Sequence, residues 1–243
     1  MKTHLNTIII AAAIVLTALT FSDAFKNRNS KSNSISVTGL GKKDFVSDLI
    51  VWSGSFTKKR DNLKVAYAEL DSDRENIRKY LISKGIKQDN IIFSAVEINK
   101  EFDTQYDNAG NKIRSVFTGY LLTQSVQIES KEVDKVELIS RQVSELINSG
   151  VEFYSKNPEY YYTRLAELKI EMIAEATKDA NIRAKKIADN AGAEVGNLKN
   201  ADMGIFQIVA QNSSEDYSWG GSFNNTSKKK TATITIKLEY EID

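Results

Sequence analysis

The chain of 243 residues has no cysteine, and its one histidine, His4, lies at the very start, ahead of an apolar run. Without cysteine there is no disulfide framework, no thiolate nucleophile and no thiolate-bound metal. With no histidine in the body, a Ser-His-Asp arrangement is excluded. So is the side chain most used for proton transfer near neutral pH and for transition-metal binding. An excess of one charge is lacking too: 33 Lys and Arg against 32 Asp and Glu leave a formal net charge of +1. Binding phosphate backbones calls for a basic surplus, so nucleic acid is not an expected partner. The strongest basic run, Lys228-Lys229-Lys230, comes just before an alternating segment and reads as a solvated strand entry. These absences leave no catalytic, cofactor-binding or metal-ligating residue to name.

The N-terminus has what an export signal needs. Lys2 precedes an apolar run from Ile8 to Phe21, at the long end of a signal-peptide core and short of a comfortable membrane span. Ser22-Asp23-Ala24 offers a small-x-small cleavage site, so residues 1–24 are expected to leave as a signal peptide. The alternative is retention, with Leu5 to Phe21 anchoring the body to the inner membrane. No cysteine follows the run, which excludes a lipid-anchored lipoprotein. The polar residues that come next mark 25–34 as a linker, and 35–243 as the folded body, located in the periplasm or cell envelope.

Periodicity orders the elements of that body. Ile35 to Gly41 and Phe45 to Phe56 alternate as strands. From Asp61 to Lys84, Leu63, Ala66, Leu70, Ile77 and Leu81 fall on one helix face, with Gly85 as the stop. Strands are predicted at Asn90 to Glu101 and Arg114 to Glu129, joined across the hairpin signal Asp107-Asn108-Ala109-Gly110-Asn111. A second helix spans Val133 to Asn148, with Val136, Ile139, Val143 and Ile147 inward and Gly150 ending it. After a short strand, Val151 to Tyr154, the chain's one proline, Pro158, follows the cap residue Asn157 and starts a third helix running to Asn190. In that helix Leu165, Leu168 and Met172 give way to Ala176, Ala180, Ala184 and Ala188. These four small residues on one face let a neighbour approach closely. Strands at Leu198 to Gln211 and Thr231 to Ile242 close the chain. The expected fold is α+β: an antiparallel β-sheet backed by three helices, with a βαββαβ core, an extra N-terminal strand, and a C-terminal long helix plus two strands.

Four pieces in this order, Ile35-Ser36-Val37-Thr38-Gly39-Leu40-Gly41, Lys84-Gly85-Ile86-Lys87-Gln88-Asp89-Asn90-Ile91, Gly119-Tyr120 and the alanine-rich helix ending at Gly192, resemble the SIMPL-domain family. Where the family often has Pro-Asp after the first strand, this chain has Lys43-Asp44, and its loop from Gln211 to Lys230 is longer and more polar. The resemblance implies an exported bacterial envelope protein of the outer-membrane immunogen or oxidative-stress type, working as a homo-oligomer. It supplies no catalytic residues, cofactor or metal.

Other local features read as structure. Asp71-Ser72-Asp73 lies mid-helix, and Asp103 with Asp107 lacks the glycine and glutamate of a calcium loop. Tyr160-Tyr161-Tyr162 is expected to pack at a helix start, with a sugar- or peptidoglycan-stacking surface as the functional alternative. Trp219 and Phe223 in the polar loop either fold back on their own domain or reach another subunit or membrane. Three function classes follow: a homo-oligomeric structural or scaffolding envelope protein, expected first; a binding module for an envelope protein or cell-wall component; and a hydrolase built on carboxylates alone.

Overall fold

The computed structural model describes residues 13–22, 34–213 and 220–242. Among these the chain is α+β, with ten strands in two antiparallel sheets and four helices, in two compact units. One sheet has the order β1-β10-β8 with β9 also on β10; the other is β3-β5-β2-β6, with β4 on β5 and β7 on β2. The strands are β1 (Ser34–Val46), β2 (Leu49–Arg60), β3 (Ile91–Phe93), β4 (Glu97–Tyr106), β5 (Lys112–Ser130), β6 (Phe153–Ser155), β7 (Glu159–Tyr161), β8 (Val195–Met203), β9 (Gln207–Ala210) and β10 (Lys229–Ile242). The helices are α1 (residues 13–22), α2 (Leu63–Ser83), α3 (Val133–Gln142) and α4 (Leu165–Ala191).

The larger unit comprises Gly41–Ala176 and Gly204–Thr235. Strand alternation turns Ile50, Trp52 and Phe56 of β2, and Leu122, Val126 and Ile128 of β5, onto one face, where they join the inward residues of α2 and α3 in the core. Asn62 caps α2, its side chain accepting from the N–H groups of Lys64 and Val65. Two helix positions depart from the periodic expectation. Leu63, in the first turn, is exposed, while Asp73 is buried on the inner face and paired with Lys58 at 2.8 Å. After Gln142 the second helix tightens into a 3-10 segment, Val143–Ser149. At three residues per turn Leu146 follows Val143 inward, and Ile147, expected inside, faces solvent.

The third predicted helix starts late. Residues 159–161 form β7 instead, with Leu49, Ile50 and Val51 opposite Tyr161, Tyr160 and Glu159. The tyrosine run suits a half-buried strand, and alternation buries Tyr160 while its neighbours face out. Asp48 accepts from the N–H and hydroxyl of Thr163 (2.7 and 2.8 Å), and α4 begins at Leu165 rather than Pro158. Close approach matters at Gly41 of β1, where a Cβ would lie 2.5 Å from the carbonyl oxygen of Met172 on α4. The predicted strand from Leu198 to Gln211 is divided into β8 and β9, both paired with β10.

The smaller unit takes Met1–Leu40, Thr177–Met203 and Ile236–Asp243. Ala180, Ala184 and Ala188 are buried along one face of α4. Beside Ala180, the Asp179 carboxylate accepts from the N–H of Leu40 on β1 at 2.9 Å, and Asn181 donates to the Tyr240 hydroxyl on β10 at 3.2 Å. These bonds seat the alanine face on the strands. The N–H of Leu40, with Arg183, holds Asp179 below the usual carboxylate range. In α1 the large apolar side chains Ile14, Val15, Leu16, Leu19 and Phe21 are all exposed. Among the described residues no helix is long and apolar enough to cross a membrane.

Replacing Ala180 by leucine forces added volume into this contact, with an expected loss of about 1–3 kcal/mol in chemical unfolding. Ala174→Leu, on the exposed side of the same helix, is the control and changes stability little.

Candidate functional site

Two features of the larger unit are more than scaffold: a projecting hairpin and an aromatic cavity. The hairpin comes from the unequal lengths of β2 and β5. Their ladder ends at Arg60 opposite Tyr120, but β5 extends back to Lys112 and pairs there with β4 alone. Gly119 sits at the departure point. Its φ of 138° is open to glycine, and a Cβ would lie 2.7 Å from the Arg60 carbonyl oxygen. The β4–β5 register slips between Glu101 and Phe102, as at a β-bulge. Gly119-Tyr120 therefore lies within a long strand, where the sheet becomes a two-stranded arm.

At the tip, Asp107 organises the predicted turn. Its carboxylate accepts from the N–H of Ala109 (2.9 Å) and of Asn111 (2.8 Å), and these bonds, that to Asn111 first, hold it below the usual carboxylate range. Along the arm one face is apolar. Phe102 lies opposite Phe117, and the Thr104 and Ser115 hydroxyls meet on that face at 3.2 Å. The Phe102, Phe117 and Tyr120 rings form a chain of edge contacts at 5.7 and 5.1 Å. Phe102, Ile113 and Phe117 are 55%, 66% and 41% exposed, with no core to join. At the arm's root, a groove of about 640 Å³ is lined by Leu63, Tyr67, Ile98 and Tyr120 together with Asp61, Asn62 and Lys64.

The second feature brings together four stretches distant in sequence. A cavity of about 160 Å³ is lined by Phe45, Tyr160, Tyr161, Tyr162, Leu165, Ile208, Phe223, Asn224, Asn225 and Lys230. Backbone bonds close it. The Tyr160 N–H donates to the Asn225 carbonyl, and Ile208 exchanges bonds with the flanking residues, its N–H to Ser222 and its carbonyl from Asn224. Phe223 thus returns to its own unit and stands at the cavity, while Trp219 lies outside the described residues. Lys169 lies over the Phe206 and Phe223 rings at 5.1 and 5.8 Å.

Lys230 corrects the reading of the basic run. Lys229 is exposed and Lys228 is paired with Asp134 and Glu137, but Lys230 is 4% exposed, on an inward position of β10. Its Nζ donates to the Tyr160 carbonyl at 2.5 Å, and among the described residues no carboxylate lies within ion-pair distance of it. Burial lowers the amine to about 8. Nothing in Lys-Lys-Lys distinguishes its third member; the strand alternation placing residues 230, 232 and 234 inward is the signal that finds it.

The remaining sequence features take structural places. Asp71 pairs with Arg74 on α2. Asp44 accepts from Thr231 (2.6 Å) and Gln211 (3.1 Å), which lower it below the usual carboxylate range. Residues 35–240 match the sequence model of the family described as SIMPL, protein of unknown function (DUF541). No curated protein matches the chain.

The depressed amine makes stability depend on pH. Between pH 8 and roughly 10.4 the unfolded chain holds a proton on Lys230 that the folded chain has lost, so stability rises with pH through this window. The cost is fully present below it. Relative to Lys230→Met, the wild-type unfolding free energy is expected to gain about 3 kcal/mol between pH 7 and 10.5 in urea titrations. Parallel pH profiles would refute the depressed amine.

Proposed function

The chain belongs to the SIMPL family, whose function is uncharacterised, and on that premise we propose that it is an exported, non-enzymatic envelope protein working as a homo-oligomeric structural or scaffolding element. The carrying observation is the β4–β5 arm. A two-stranded ribbon is marginally stable in water by itself, and this one holds out an apolar face with no core of its own to cover. A second copy provides a matching surface: the root groove continues the ring chain of Phe102, Phe117 and Tyr120, and is rimmed by Leu63, Tyr67 and Ile98. An arm seated in the next copy's groove is a heterologous contact, the kind that builds rings or filaments. The balanced net charge leaves little long-range repulsion between copies. Export is supported by the apolar N-terminal run and by the exposure of the large side chains of α1, which join no core. A contribution to envelope or oxidative-stress tolerance fits a scaffold without catalytic side chains. The aromatic cavity favours a second reading, in which the protein also acts as a binding module.

Light scattering with intact-mass analysis of protein recovered from its native envelope is expected to give an assembly of chains beginning at Phe25. A monomer would overturn the scaffold reading, and chains that retain residues 1–24 would overturn cleavage in favour of the anchor.

Phe102→Ser with Phe117→Ser is expected to weaken self-association by a factor of about 100 without changing the far-ultraviolet spectrum. An unchanged assembly would assign contact to another surface.

A further inference from the structure

We propose that the cavity around Lys230 is a binding site for a small monocarboxylate with an apolar or aromatic body. The ammonium of Lys230 has three donors, and among the described residues the Tyr160 carbonyl is the one acceptor it meets. A buried cation is normally paired, because the cost of removing charge from water is otherwise uncompensated. Here the space beside the amine is a cavity walled by Phe45, Tyr160, Tyr162, Leu165 and Phe223, lining that solvates a hydrocarbon body and offers no anion. Its volume of about 160 Å³ is close to that of cavities that take up a benzene ring. One ring with one carboxylate directed at Nζ would fill it and neutralise it. A phosphate dianion would leave surplus charge among aromatic walls.

Several charged groups on the surrounding elements are already engaged. Asp44 on β1 is bound by Thr231 and Gln211. On β7 the Tyr161 phenol donates to Glu159, and Glu137 of α3 raises the Tyr160 phenol together with burial, its larger cause. Lys169 of α4 covers the two phenylalanine rings, and Lys228 is paired. Burial alone lowers Lys230, so a bound carboxylate is expected to raise it again, and binding requires the protonated amine. The site is separate from the arm and goes beyond the scaffold reading.

Titration of the full chain with phenylacetate, followed by calorimetry and by ligand-observed NMR, tests the assignment. Phenylacetate is expected to bind saturably at one site per chain, and neutral phenylacetamide at least about tenfold more weakly. Affinity is expected to be flat from pH 6 to 7 and to fall about thirtyfold from pH 7 to 9.5 as the amine loses its proton. Lys230→Met removes the charge at similar volume and is expected to abolish the preference for phenylacetate over phenylacetamide. Phe223→Ala, at the half-exposed rim, weakens both ligands and provides a second variant with the core untouched. The Phe102→Ser, Phe117→Ser chain binds phenylacetate as the wild type does, so loss of assembly and loss of ligand are distinguishable. The proposal is overturned by the absence of saturable phenylacetate binding up to about 10 mM. Equal binding of the amide, unaltered affinity in Lys230→Met, or a pH-independent affinity would each overturn it as well.

Discussion

Eleven consecutive pairs between β2 and β5, from Ile50 opposite Ser130 to Arg60 opposite Tyr120, are the constraint on which the larger unit rests. Because side chains alternate across a strand, this one register brings Ile50, Trp52 and Phe56 to the same face as Leu122, Val126 and Ile128, where α2 and α3 cover them. A slip of one residue would turn every one of them to the opposite face. The same ladder supplies the outer strands: β3 and β4 add to β5, and β6 and β7 add to β2. Where it ends, at Gly119, the remainder of β5 becomes the arm. The arm is thus a by-product of unequal strand lengths on a register fixed by the core.

Much of this was legible in the residues. The helix faces of α2 and α4, the Asp107 to Asn111 turn and the α+β class follow from periodicity and a few punctuating glycines, while the family rests on the resemblance of four short segments to it. The misreadings have local causes. Tyr160-Tyr161-Tyr162 followed a cap-and-proline signal that reads as a helix start, but pairing with Leu49, Ile50 and Val51 overrides it. Ile147 was placed inward by a 3.6-residue period that the chain gives up for a 3-10 turn. The aromatic cavity was invisible because its walls come from four separate stretches, and because a buried lysine in a basic run has the same letters as a solvated one. Tyr160-Tyr161-Tyr162 and Phe223, singled out separately in the sequence, do meet there, which periodicity alone had no means of stating.

The arm and the cavity answer different physical problems. The arm is an excess of apolar surface that its own unit leaves uncovered. The cavity is a deficit of charge compensation: a cation among rings that, among the described residues, is held by a single carbonyl. Both lie in the larger unit, and neither uses the alanine ladder of α4, whose part is to bring helix and strands together. The residues that carry the family resemblance and those that form the arm and the cavity are therefore largely different sets.

The order of strands has a consequence for how the body comes into existence. In the sheet β1-β10-β8, the middle strand is the last described strand, and its residues 236–242 also belong to the smaller unit. Until those residues are available, β1 and β8 have no partner between them and the alanine face has an incomplete floor. A nascent chain can form the β2–β5 ladder early, but it cannot close this sheet before β10 has been made. Completion of the smaller unit therefore waits on β10 and follows the β2–β5 ladder in time.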